Sequence, residues 1–169
     1  MNFRLTALIL LACVGLGVAR AEPVSRPEVL AAIAVLENDV TGPDAVRAAA
    51  TVTRFGKESD AVLIVVGPET MPWVQTDVPE GEARVRAMLM AVYFAGDIKA
   101  QLQKRRAEDD PYPGWLAVIK AYKQIRKKQP EMIIPEVEDL IEKERAGVLK
   151  DEADEFIKEQ QKQPPDNMV

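Results

Sequence analysis

Between residues 85 and 102 the apolar side chains leave a helix almost no polar face. Val85, Met88, Leu89, Val92, Ala95, Ile98 and Leu102 recur at helical spacing, and Met90, Ala91, Tyr93 and Phe94 fill most of the remaining circumference. A helix that is apolar nearly all round must be covered by neighbours on several sides. At ~1.5 Å per residue the helix expected over about 78–106 is roughly 40 Å long, enough to span a small domain. The expectation is therefore an all-α single domain of five or six helices packed around this one, covering residues 22–159.

The flanking pattern supplies the other helices. Ser25 stands three residues before Glu28, the spacing of a capping box, and Val29, Leu30, Ile33 and Leu36 form the stripe behind it. Pro43 suits the first turn of an Ala-rich helix over 44–55, with Gly56 expected as its stop. Asp77 and Glu80 repeat the capping-box spacing before the central helix, and Lys104, Arg105 and Arg106 suit the negative end of its dipole. Asp110 or Pro113 opens a fourth helix with Trp115, Ile119, Tyr122 and Ile125 on one stripe. A fifth buries Val137, Leu140 and Ile141 before Gly147, and a sixth, around 150–161, has Ala153, Phe156 and Ile157 to bury. The polar, Pro-bearing residues 160–169 read as a disordered tail.

One stretch breaks the period. Residues 61–66, AVLIVV, are continuous, apolar and largely β-branched, and they lie between Ser59-Asp60 and Gly67-Pro68. Such a run is a buried strand or a short buried helix, which periodicity alone does not separate. A lone strand would leave backbone groups unpaired, so a strand here needs a partner. Trp73, Val74, Gln75 and Thr76 are the nearby candidates, making a short β-hairpin over 61–76 the alternative to a helix.

Residues 1–21 read as a secretory signal peptide. Arg4 supplies the positive end, residues 5–18 are apolar or small, and Ala19-Arg20-Ala21 is a small-x-small cleavage site. The product would be exported, periplasmic or extracellular, starting at Glu22. Leu10-Leu11-Ala12-Cys13 also resembles the box before a lipidated cysteine, which would tie one end to a membrane. The apolar run is shorter than the ~18–20 residues of a spanning helix.

Composition closes off much chemistry. Cys13 is the only cysteine and there is no histidine. Residues 22–169 therefore hold no Cys nucleophile, no His base, and no thiolate or imidazole for zinc, copper or haem, so no cofactor is expected. Metal sites of oxygen ligands alone stay open. With Arg4 and Arg20 in the leader, 20 basic face 27 acidic side chains, a net charge of −7 that argues against nucleic acid as a partner.

The charge is uneven: residues 99–128 carry nine basic and three acidic side chains, whereas 129–169 carry five and twelve. Lys120, Lys123, Arg126 and Lys127 are candidate residues for binding an anionic lipid or polymer, against the reading of solvated helix faces neutralised by residues 131–144. Trp73, in a loop with Pro68, Pro72 and Pro79, is either an exposed anchor for a partner or a lid on the core. Asp97, next to Gly96 on the most apolar helix, is either a buried acid needing a partner or a polar break facing water or a cation. With Asp109 or Asp110 nearby it would give the carboxylate pair that a hydrolase without His or Cys requires. The function these residues support first is a non-catalytic interaction or structural module with a protein partner, itself or another. A carboxylate-dependent hydrolase and an envelope-associated anion binder are the alternatives.

Overall fold

The computed structural model describes residues 22–75 and 77–162. The expected leader, its cleavage site and Cys13 lie outside these residues, as do residues 163–169 of the expected tail. The described residues form six helices in one all-α bundle: α1 (Arg26–Asn38), α2 (Ala45–Glu58), α3 (Glu80–Lys104), α4 (Pro111–Lys128), α5 (Pro135–Ala146) and α6 (Leu149–Gln160).

Helix α3 is the axis. It packs against α1, α2 and α4, while α5 and α6 cover α4 from the other side. Leu89, Val92, Tyr93, Phe94, Ala95, Ile98 and Leu102 are all buried, as its near-continuous apolar circumference demands. The stripe of α4 (Trp115, Ile119, Tyr122, Ile125) is buried too. Two glycines let α3 and α4 approach closely. A Cβ at Gly96 would lie 2.4 Å from the Pro113 carbonyl oxygen, and one at Gly114 would lie 2.5 Å from Cδ2 of Tyr93.

Some helix ends follow the expected local chemistry and others do not. Ser25 and Glu28 make the reciprocal capping box, Ser25 N donating to Glu28 Oε2 at 2.7 Å. Asp110 caps α4 by accepting from Tyr112 N, and Gly147 closes α5 in the left-handed region (φ 74°). The expected box at Asp77 and Glu80 does not form: Pro79 is the N-cap of α3 and no side chain caps it. Gly56 does not stop α2 either, which continues to Glu58. A Cβ at Gly56 would lie 2.9 Å from Cδ1 of Ile64, so this glycine makes room for the chain that follows.

Residues 61–66 are neither helix nor half of a hairpin, and no strand occurs among the described residues. The backbone bonds that a partner strand would have made are supplied by side chains. Leu63 N donates to Gln101 Oε1 at 2.9 Å, and Gln101 Nε2 returns a bond to Leu63 O at 2.5 Å. Val65 N donates to Asp109 Oδ1 at 2.8 Å, while the Thr70 hydroxyl donates to Val65 O at 3.1 Å. A glutamine thus does for Leu63 what a neighbouring strand does in a sheet, closing both bonds of one residue.

Candidate functional site

Two clusters carry chemistry. The first is buried where residues 61–75 lie against α3 and the α3–α4 connection. Asp97 on α3 is fully buried, and the carboxyl of Asp109 lies close enough to act on it. Asp97 Oδ1 accepts from Gln101 Nε2 at 2.9 Å, the same amide that holds Leu63. The Oδ2 atoms of Asp97 and Asp109 are both buried and have no hydrogen-bond partner among the described residues.

Loss of water around the carboxyl is the main reason that Asp97 is pushed up to about 8, with the charge of Asp109 adding to it against the pull of the Gln101 amide. Burial also pushes Asp109 up, to about 6, opposed by the Val65 amide and the Asp97 carboxyl. Two carboxyls this close do not both ionise readily, so burial and their mutual repulsion favour the protonated form of the pair. The Tyr93 hydroxyl shares the site and is pushed up as well, first by burial and then by the two aspartates.

Asp97 therefore faces a second acid, not water or a cation, and the reason is topological. The α3–α4 turn brings Asp109 back alongside α3, and every charge acting on Asp97 or Asp109 is another carboxylate. Asp109 also lines a groove of about 240 Å³ with Leu63, Val65, Phe156 and Ile157. Among the described residues, no three acidic side chains stand together as a metal-ligand set.

The second cluster is a groove of about 450 Å³ between α4 and α5, lined by Tyr122, Lys123, Arg126, Lys127, Glu138, Ile141 and Arg145. Lys123 and Lys127 stand exposed on its rim, and Arg145 reaches in from α5. Arg126 pairs with Glu138 at 2.9 Å, and the Tyr122 hydroxyl donates to the same carboxylate at 3.0 Å and accepts from Ile134 N at 2.9 Å. Burial is the first cause holding the Tyr122 phenol above its ordinary value.

Of the four basic candidates, Lys123, Arg126 and Lys127 meet in this groove. Lys120 belongs to a small crevice between α1, α3 and α4, beside Glu37 and Gln124. The nine basic side chains of 99–128 do not form one unpaired surface. Lys99 pairs with Glu37, Lys104 with Asp110, Arg106 with Glu108, Arg126 with Glu138 and Lys128 with Asp39.

Trp73 is not an exposed anchor. It is fully buried, its ring 6.0 Å from that of Tyr93. Arg86 on α3 holds it there, donating to the Trp73 carbonyl at 2.6 Å and pairing with Glu82 and Glu136. Sequence reasoning missed Arg86 and Gln101. For Arg86 the available signal was Glu82 one turn earlier. For Gln101 it was an amide one turn after Asp97, on the same face of the helix.

Comparison with known proteins assigns no family to this geometry. The chain is similar to the bifunctional purine biosynthesis protein PurH of Lacticaseibacillus casei (strain BL23) and of Lacticaseibacillus paracasei (strain ATCC 334). Each is 39% identical over 75 residues, which is 44% of this chain and 14% of the relative. The chain thus spans about one seventh of the length of these curated relatives. No protein-family model matches the chain, and no solved structure matches it.

Proposed function

We propose that the chain is an exported, non-catalytic helical interaction module that binds an acidic segment of a partner protein in the α4–α5 groove. The observation that carries this reading is the convergence of Lys123, Lys127 and Arg145, with no partner in an ion pair among the described residues, around an apolar floor of Tyr122 and Ile141. Export rests on Arg4, the apolar residues 5–18 and the Ala19-Arg20-Ala21 site. A protein partner is favoured over an anionic bilayer because a groove matches a few carboxylates better than it matches a flat lipid face.

The test is titration of residues 22–169 with a polyglutamate peptide at low ionic strength. The doubly reversed variant Lys123→Glu, Lys127→Glu should bind at least tenfold more weakly, with its unfolding midpoint little changed. Equal affinity removes the reading. Binding to phosphatidylglycerol vesicles, but not to the peptide, moves it to the anionic-lipid alternative.

The second reading, a small carboxylate-dependent hydrolase, is favoured by one feature: Asp109, next to the buried Asp97, lines the groove beside Phe156. It requires an activity, on a panel of nitrophenyl glycosides for example, that disappears in Asp109→Asn.

A further inference from the structure

The stretch 62–66 is hydrogen-bonded along one edge only. Leu63 and Val65 direct both their backbone groups inward, to Gln101, Asp109 and Thr70. The alternate residues Val62, Ile64 and Val66 make no backbone hydrogen bond among the described residues. In extended chain, alternate residues present their N–H and C=O groups to opposite edges, so these three form an open strand edge. Val62 is buried, whereas Leu63 and Val66 are 48% and 62% exposed. An uncharged, largely β-branched extended segment, bonded by side chains along one edge and without backbone partners along the other, is a template for an added strand.

We propose that residues 62–66 are a docking edge for an extended peptide of a partner protein, which adds to Val62, Ile64 and Val66 as a β-strand. The peptide that fits is apolar at alternate positions and carries a basic residue at its ends. Asp60 and Glu69 stand exposed at the two ends of the stretch, and neither takes part in an ion pair among the described residues. The same two acids argue against a second copy of this chain. Antiparallel self-pairing centred on Ile64 would bring Asp60 of one copy next to Glu69 of the other, like charge against like. Gln101 and Asp109 are positioning residues, because they hold the stretch extended without touching the edge that is offered. The edge is built from other residues than the α4–α5 groove and does not depend on that reading.

The probe is a synthetic eight-residue peptide of alternating threonine and valine with a lysine at each end, titrated into residues 22–169 and followed by amide hydrogen exchange. Saturating peptide should slow exchange at Val62, Ile64 and Val66 by at least tenfold and leave Leu63 and Val65, already bonded, unchanged. Val66→Pro removes one donor from the open edge at an exposed position, and should weaken binding at least tenfold with the unfolding midpoint preserved. The same peptide N-methylated at alternate amides tests the pairing without altering the protein, and should not bind.

Equal binding of the N-methylated peptide, or slowing spread evenly over 62–66, overturns strand addition. Equal binding of a peptide with glutamate ends overturns the basic partner. The alternating protection appearing without peptide, together with a dimer by light scattering, assigns the edge to a second copy instead.

Discussion

At Asp97 a carboxyl sits on the most apolar helix of the chain, with Asp109 as its neighbour and no cation beside it. Both acids are raised in the folded protein, so the fold retains protons that the unfolded chain releases. Their contribution is most favourable below about pH 4, falls as pH rises through the folded values of about 6 and 8, and levels off above them. Asp97→Asn keeps an acceptor for Gln101 and a donor for Asp109 while removing the titration. Each tenfold difference in proton affinity between the folded and unfolded chain is worth ~1.4 kcal/mol. The variant should therefore gain on the order of 2 kcal/mol or more over the parent at pH 8, and little at pH 4. Urea unfolding at the two pH values checks this, and a constant difference would mean that Asp97 is not the titrating group. The sequence marked Asp97 as an anomaly because its neighbours are apolar. It did not say which acid would meet it, since Asp97 and Asp109 are twelve residues apart and only the α3–α4 turn joins them.

Among the elements, the legible ones were those whose signals are local. The six helices, the Ser25 box, the Asp110 cap and the Gly147 stop rest on spacings of one to four residues. Residues 61–66 were ambiguous because their structure is decided by Gln101 and Asp109, about forty residues away in sequence. Gln101→Leu keeps the approximate volume and removes three hydrogen bonds, leaving Leu63 and Asp97 short of partners. It should cost about 2–4 kcal/mol, with exchange at Leu63 becoming fast. Unchanged protection of Leu63 would show that the glutamine is not its support. At the α3–α4 contact, Gly96→Ala gains up to about 1 kcal/mol in helix propensity but places a methyl against the Pro113 carbonyl. The clash is with backbone, so the net result should be a loss of about 1–3 kcal/mol in chemical denaturation. A gain in stability would mean that the two helices have room to separate.

For the whole molecule, the uneven charge becomes an arrangement in space. Acids from α1 and its C-cap, α5 and the α3–α4 connection pair with five of the nine basic residues, leaving Arg105, Lys120 and the two lysines of the α4–α5 rim, Lys123 and Lys127. Polyglutamate affinity should therefore fall steeply between ~20 and ~200 mM salt, because exposed charges are screened over about a Debye length. Affinity independent of salt would place the peptide elsewhere. By itself the sequence determined the all-α class, a count of five or six helices and which of them is central, since each follows from the period of apolar residues along one continuous stretch. The tertiary structure alone decided that Trp73 is core, that Asp97 is buried beside Asp109, that Gln101 stands in for a strand and which lysines stay unpaired. Those outcomes depend on which groups distant in sequence are brought within about 3 Å of one another, and hydrogen bonds and ion pairs are short-range enough that nothing less than the packing can settle them.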